Sequence, residues 1–185
     1  LTPACTCAFR FSTRCNVVKI PAFKIEQALS AQLAPVYLVS GDEPLQCMEV
    51  AEAITSAAAG QGYTERQVIN VESGFDWQSL MLEAATMSLF ADKKLIDLRL
   101  PSAKPGRDGG AVLREFAKQP PPDTILLMQV GRFEKGGANS AWVKALDQAG
   151  VFVQVWDLKP NETFHWMEKR LTKAGFKPER DAVRL

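Results

Sequence analysis

Apolar and polar positions along the chain switch repeatedly between a helical period and a strand-like run. Phe23, Ile25, Ala28, Leu29 and Leu33 recur at helical spacing until Pro35 ends the pattern. "VYLV" at 36–39 then reads as a short buried strand closed by Gly41. The stretch from Asp42 to Gly62 is a helix, with Asp42 or Glu43 as cap, Pro44 in its first turn and Gly60 or Gly62 at its end. "RQVINV" is a second strand. Asp76 caps a helix whose inward stripe is Trp77, Leu80, Met81, Ala84 and Ala85.

"KKLIDLRLP" alternates, with Ile96, Leu98 and Leu100 on one side and Asp97 and Arg99 on the other, the pattern of a half-buried strand. "SAKPGRDGG" reads as a loop, "AVLREFAKQ" as a helix stopped by three prolines, and "TILLMQV" as a strand covered on both faces. A helix through Trp142 and Leu146, a strand "VFVQVW" and a last helix "NETFHWMEKRLTKAGF" complete the pass. Strands alternate with helices throughout, which predicts an α/β fold with a largely parallel sheet between two helical layers.

Between the third helix and the third strand stands "MSLFADKK", residues 87–94. Large apolar side chains occupy a connection where turn residues are expected. By pattern alone such a run folds back into the core; otherwise it is offered to a partner.

Composition narrows the picture. The chain has 185 residues, 46% of them hydrophobic, enough for one domain with a sizeable core and part of a second. With 22 basic and 21 acidic residues the net charge is +1, which gives no general pull toward nucleic acid or membrane. No apolar run reaches the ~20 residues needed to span a bilayer. Cys5, Cys7 and Cys15 cluster early and Cys47 stands alone. They supply neither a zinc ligand set nor a disulfide framework, and reduced, cytoplasmic thiols are the simplest reading. Residues 1–22 match no element well and read as an extension; Pro160 marks a domain boundary, and residues 159–185 read as the truncated start of a second domain.

Chemistry is sparse. The first strand-to-helix turn, "SGDEPLQCME", sits where a phosphate loop would be. Gly41 could serve as its first glycine, but Gln46, Cys47 and Met48 stand where Gly-Lys-Thr is needed, and Asp42 and Glu43 would repel a phosphate. "TILLMQV" ends in Gln129 and Val130, not in the acidic residues that hold Mg²⁺. His165 is the single histidine, on a helix, and reads as a surface or packing residue. Asp92, Asp97 and Asp108, and also Lys93 and Lys94, read as solvated surface, while Trp77, Trp142 and Trp156 read as core. No catalytic residue, metal ligand or cofactor is expected, and Gly41, Asp42 and Glu43 mark a degenerate phosphate loop.

The ordered strings "QLAPVYLVSGDEPL", "FDWQSLMLEAATMSLFADKKLIDLRLP", "PPPDTILLM" and "NSAWVKALDQAGVFVQVW" together resemble the delta-subunit family of bacterial DNA polymerase III, part of the sliding-clamp loader. The likeness runs over about residues 23–175 and not over the first twenty or so. It implies an AAA+-like three-layer domain at 23–158 without ATPase activity, followed by the start of a helical lid. It implies a non-catalytic, cytoplasmic subunit of a DNA-polymerising assembly that binds the clamp (the beta subunit) and helps open it for loading onto primed DNA. Further implied partners are the gamma/tau and delta prime subunits, reached through regions beyond this chain, and DNA within the assembly. The family's clamp-binding element maps onto Ser88, Leu89 and Phe90, flanked by Met87. Two other classes compete: a P-loop ATPase or nucleotide kinase, which would bind ATP, and an α/β scaffold without clamp partner, in which Leu89 and Phe90 would be buried.

Overall fold

A computed structural model describes residues 19–22, 25–29, 33–86, 93–158 and 160–179. The elements follow one another as β1 (Lys19–Pro21), α1 (Ile25–Leu29), β2 (Val36–Ser40), α2 (Pro44–Gly60), β3 (Tyr63–Asn70), α3 (Trp77–Ala85), β4 (Lys93–Leu100), α4 (Gly106–Lys118), β5 (Thr124–Val130), α5 (Ala141–Ala149), β6 (Val151–Gln154) and α6 (Pro160–Lys173). The strands form one sheet in the order β1-β6-β2-β5-β4-β3, and every pairing is parallel. The expected parallel sheet between helical layers is therefore observed.

Its two faces carry separate cores. On one, Val36, Leu38, Ile96, Leu98, Leu126, Met128 and Phe152 pack against Leu80 of α3, Leu113 and Phe116 of α4 and Leu146 of α5. On the other, Tyr37, Val39, Leu95, Ile125, Leu127 and Val153 pack against Ile25 and Leu29 of α1 and Val50 and Ile54 of α2. The continuous apolar runs of β2 and β5 are what a strand buried on both faces requires.

Several expectations are corrected. Strand β4 is not half-buried: Lys94 to Asp97 are buried in sequence, Leu95 within the α1–α2 core and Asp97 beneath the side chains of Arg66, Arg99 and Gln129. Lys94 and Asp97 are thus interior charges, not solvated ones. Helix α4 begins at Gly106, inside the stretch expected to be a loop. Its glycines serve close approach: a Cβ on Gly109 would overlap the Trp77 ring of α3. Trp77 and Trp142 are core as expected, but Trp156 is 59% exposed, since β6 ends before it and the chain leaves the sheet. Strand β1 lies within the first 22 residues, where pattern gave no element; its three residues borrow order from β6.

Helix α6 joins the α1–α2 layer through polar bonds. Glu49 accepts from Trp166 Nε1 at 3.0 Å and Arg170 Nη1 at 2.7 Å, and Glu26 accepts from Lys169 Nζ at 2.8 Å. That last bond, with the Lys169 and Lys173 charges, outweighs burial and holds the Glu26 carboxyl below its usual range.

Candidate functional site

Two places deserve a residue-by-residue account: the β2–α2 turn and the end of α3. The turn lies at the carboxyl end of central strand β2, where this class of sheet places ligands. Pro44 opens α2, and Glu43 in the cap position makes no side-chain capping bond. The space a phosphate would need is closed. A Cβ on Gly41 would stand 2.7 Å from Val155 Cβ and 2.8 Å from Val155 O, so the end of β6 presses against the turn. Val155 N donates to Ser40 O at 2.8 Å, and Ser40 Oγ donates to Gly131 O at 3.0 Å. Between Gly41, Asp42, Arg132 and Trp156 remains a cavity of about 10 Å³, room for a single water.

Charge at this turn is self-contained. Arg132 Nη1 donates to Asp42 Oδ2 at 3.0 Å, and this bond with the Asp42 charge raises the Arg132 pKa further. Burial, then the Asp42 and Glu43 charges, push the Cys47 thiol up and disfavour its thiolate form. Among the described residues no group of three or more His, Cys, Asp or Glu side chains could hold a metal ion. His165 is exposed on α6.

Met87, Ser88, Leu89 and Phe90 lie outside the described residues. The described residues before and after them are tied together. Asp76 caps α3, its carboxylate accepting from Gln78 N at 3.0 Å. At the other end Thr86 N–H donates to Leu82 O at 2.9 Å, and Thr86 Oγ1 donates to the same oxygen at 2.7 Å. Lys94, in the first turn of β4's path, sends its buried ammonium to the Glu83 carbonyl and, at 2.6 Å, to the Thr86 carbonyl. Thr124 Oγ1 of β5 reaches Ala84 O at 3.4 Å. A cation on the last carbonyls of a helix is favoured by the helix dipole and satisfies acceptors that have no partner inside the helix.

Asp97 is the second interior charge. Its Oδ2 accepts from Arg66 Nη2 at 2.7 Å and Arg99 Nη2 at 3.1 Å, and its Oδ1 from Gln129 Nε2 at 2.6 Å. Pattern reading missed both Lys94 and Asp97. The available signal was position: each stands in a strand whose neighbours Leu95, Ile96 and Leu98 are apolar on both sides of the pleat.

The parallel sheet, its strand order and a closed turn at the phosphate position define an α/β protein of the AAA+-like class. The solved structure of a Bacillus subtilis DNA clamp loader delta protein superposes with a TM-score of 0.68 at 15% identity, over 88% of this chain and 50% of that one. A Thermotoga maritima RuvB gives 0.55 at 13%, over 88% and 53%. Both show the fold. The family model described as DNA polymerase III, delta subunit, matches residues 37–155, and the chain belongs to that family. It is 25% identical over 154 residues to the DNA polymerase III subunit delta of Escherichia coli (strain K12), covering 83% of this chain and 45% of that protein. The corresponding subunit of Haemophilus influenzae gives 26% over 166 residues, 86% and 47%. The chain thus spans less than half the length of these two relatives.

Proposed function

We propose that this chain is the clamp-binding part of a clamp-loader delta subunit, which engages the sliding clamp and helps hold it open for loading onto primed DNA. Residues 23–158 form the clamp-binding domain, and 159–185 begin a helical lid. The observation that carries the reading is the family match across 37–155, which spans the Ser88-Leu89-Phe90 motif between α3 and β4. Leu89 and Phe90 act as a plug for a pocket on the clamp, with Ser88 and Met87 flanking them. Burying such side chains contributes roughly 1.5–3 kcal/mol each, and a compact apolar anchor is the usual form of an interface hot spot. Higher affinity for the open ring than for the closed one is enough to shift the clamp toward opening.

The chain takes no catalytic role in this reading. The pressed Gly41 turn and the Arg132–Asp42 pair support that, because they occupy the place of a nucleotide phosphate. Gamma/tau and delta prime subunits and DNA are its partners within a cytoplasmic assembly. No helix among the described residues is long and apolar enough to cross a membrane.

The test is clamp binding by the chain with and without Leu89→Ala plus Phe90→Ala, alongside a circular-dichroism melt. Loss of binding at an unchanged melting temperature is expected. A much lower melting temperature would instead place those side chains in the core and overturn the assignment.

A further inference from the structure

The α1–α2 face of the sheet is bare over the carboxyl halves of β3 and β4. Tyr63, at the start of β3, still packs with the core beneath α2. Beyond it Arg66, Val68 and Asn70 stand in register with Leu95, Asp97 and Arg99, and paired residues point to the same side. Val68 is 44% exposed, and the Arg66 and Arg99 side chains are 40% and 45% exposed, although Asp97 beside them is fully buried. Each arginine places Nη2 within 3.1 Å of the same Asp97 oxygen, so the two guanidinium groups are held side by side. One carboxylate offsets one of the two positive charges. Both guanidinium groups are nearly half exposed and carry further N–H donors in a planar fork, the geometry that grips a second carboxylate.

We infer that this face docks an acidic segment of another clamp-loader subunit, an Asp or Glu carboxylate seating on Arg66 and Arg99 and an apolar side chain covering Val68. Charge decides for protein over nucleic acid. A phosphate backbone is held by a row of cations that release counterions, whereas this patch carries one net positive charge from its three ionic groups and has a valine among them. Helix α3, which leads toward the proposed clamp-binding segment, packs on the opposite face of the sheet. The inference rests on reading the chain as a loader subunit and not on the identity of the clamp-binding residues.

Val68→Glu and Asn70→Glu test it: both positions are exposed, and a carboxylate placed there takes up the arginine donors from within the chain and repels an incoming acid. In the full-length subunit each variant is titrated by fluorescence anisotropy against the clamp, the gamma/tau subunit, the delta prime subunit and a primed DNA duplex, at low and high salt. The expected result is binding to one loader subunit weakened at least about tenfold by Val68→Glu, with clamp binding and melting temperature unchanged and a shallower salt dependence in the variant. Unchanged affinity for every loader subunit would overturn the inference, as would a loss confined to the DNA duplex, which would assign the face to nucleic acid. If the unmodified protein binds neither clamp nor loader subunits, the parent reading fails and this one with it.

Discussion

Lys94 and Asp97 sit three residues apart in one strand, on opposite faces of the sheet, and both are buried. They are held in different ways. Lys94 is satisfied by neutral oxygens, the last carbonyls of α3, with the Glu83 carboxylate only at 3.8 Å. Asp97 is satisfied by two cations and an amide from β3, β4 and β5. The first arrangement ties a helix end to the sheet beside the proposed clamp-binding segment. The second locks three neighbouring strands to one another and leaves its arginines half in water. An interior charge is thus stabilised either by aligned peptide dipoles or by ionic partners, and the choice decides whether removing it loosens one helix end or several strands.

Removing Asp97 should break this comparison most severely. Asp97→Ala leaves Arg66 and Arg99 facing each other without a carboxylate and strands the Gln129 amide, losing three hydrogen bonds to a charged group worth roughly 1.5–3 kcal/mol each before water rehydrates the half-exposed arginines; urea unfolding reads this as a lower midpoint. Lys94→Met keeps the stem but strands the Thr86 carbonyl and, among the described residues, leaves the Glu83 carbonyl with only the Thr86 N–H at 3.3 Å, a loss of about 1–3 kcal/mol. It should also weaken clamp binding with Leu89 and Phe90 intact, whereas Asp97→Asn should alter stability more than clamp binding. The double variant Lys94→Met plus Asp97→Asn should be additive within about 0.5 kcal/mol, since the two share no partner; strong coupling would mean the faces are not independent. Arg132→Ala removes an exposed pair and should leave the urea midpoint almost unchanged. The smallest effect is at Glu26. The Lys169 hydrogen bond holds its folded pKa below the ordinary glutamate range, so its contribution is present above the unfolded pKa and fades as pH falls through the folded pKa. Trp166 fluorescence should therefore report a looser α6 in acid, reversed on neutralisation.

Much of the fold was readable because β2 and β5 are unbroken apolar runs and because Pro44, Asp76 and Gly150 punctuate the helices. The degenerate turn was also readable from Asp42 and Glu43. Arg132, which completes it, comes from ninety residues away and leaves no mark on the local pattern. Asp97 was misread for the same reason: Arg66 and Gln129 lie 31 and 32 residues from it. Alternation sent Asp97 to solvent with Arg99, and Lys94 was read as solvated although it shares the parity of Ile96 and Leu98; only tertiary partners make burial of either charge tolerable. Gly109 read as a loop former and instead lets α4 approach the Trp77 ring. The residues of "MSLF" are legible by family resemblance alone, since they fall outside the described residues.

The strand order has a consequence in time. Strand β2 is flanked only by β5 and β6, which come from positions 124–130 and 151–154. At ~5–20 residues per second, a ribosome delivers those neighbours on the order of ten seconds after β2 has been made. Throughout that interval Val36–Val39 has no strand on either side, and pairings so distant along the chain are slow to form even once both members exist. The centre of the sheet is written early and assembled late, so the pace of translation between positions 40 and 124 sets how long a nascent chain must keep its most apolar strand from other company.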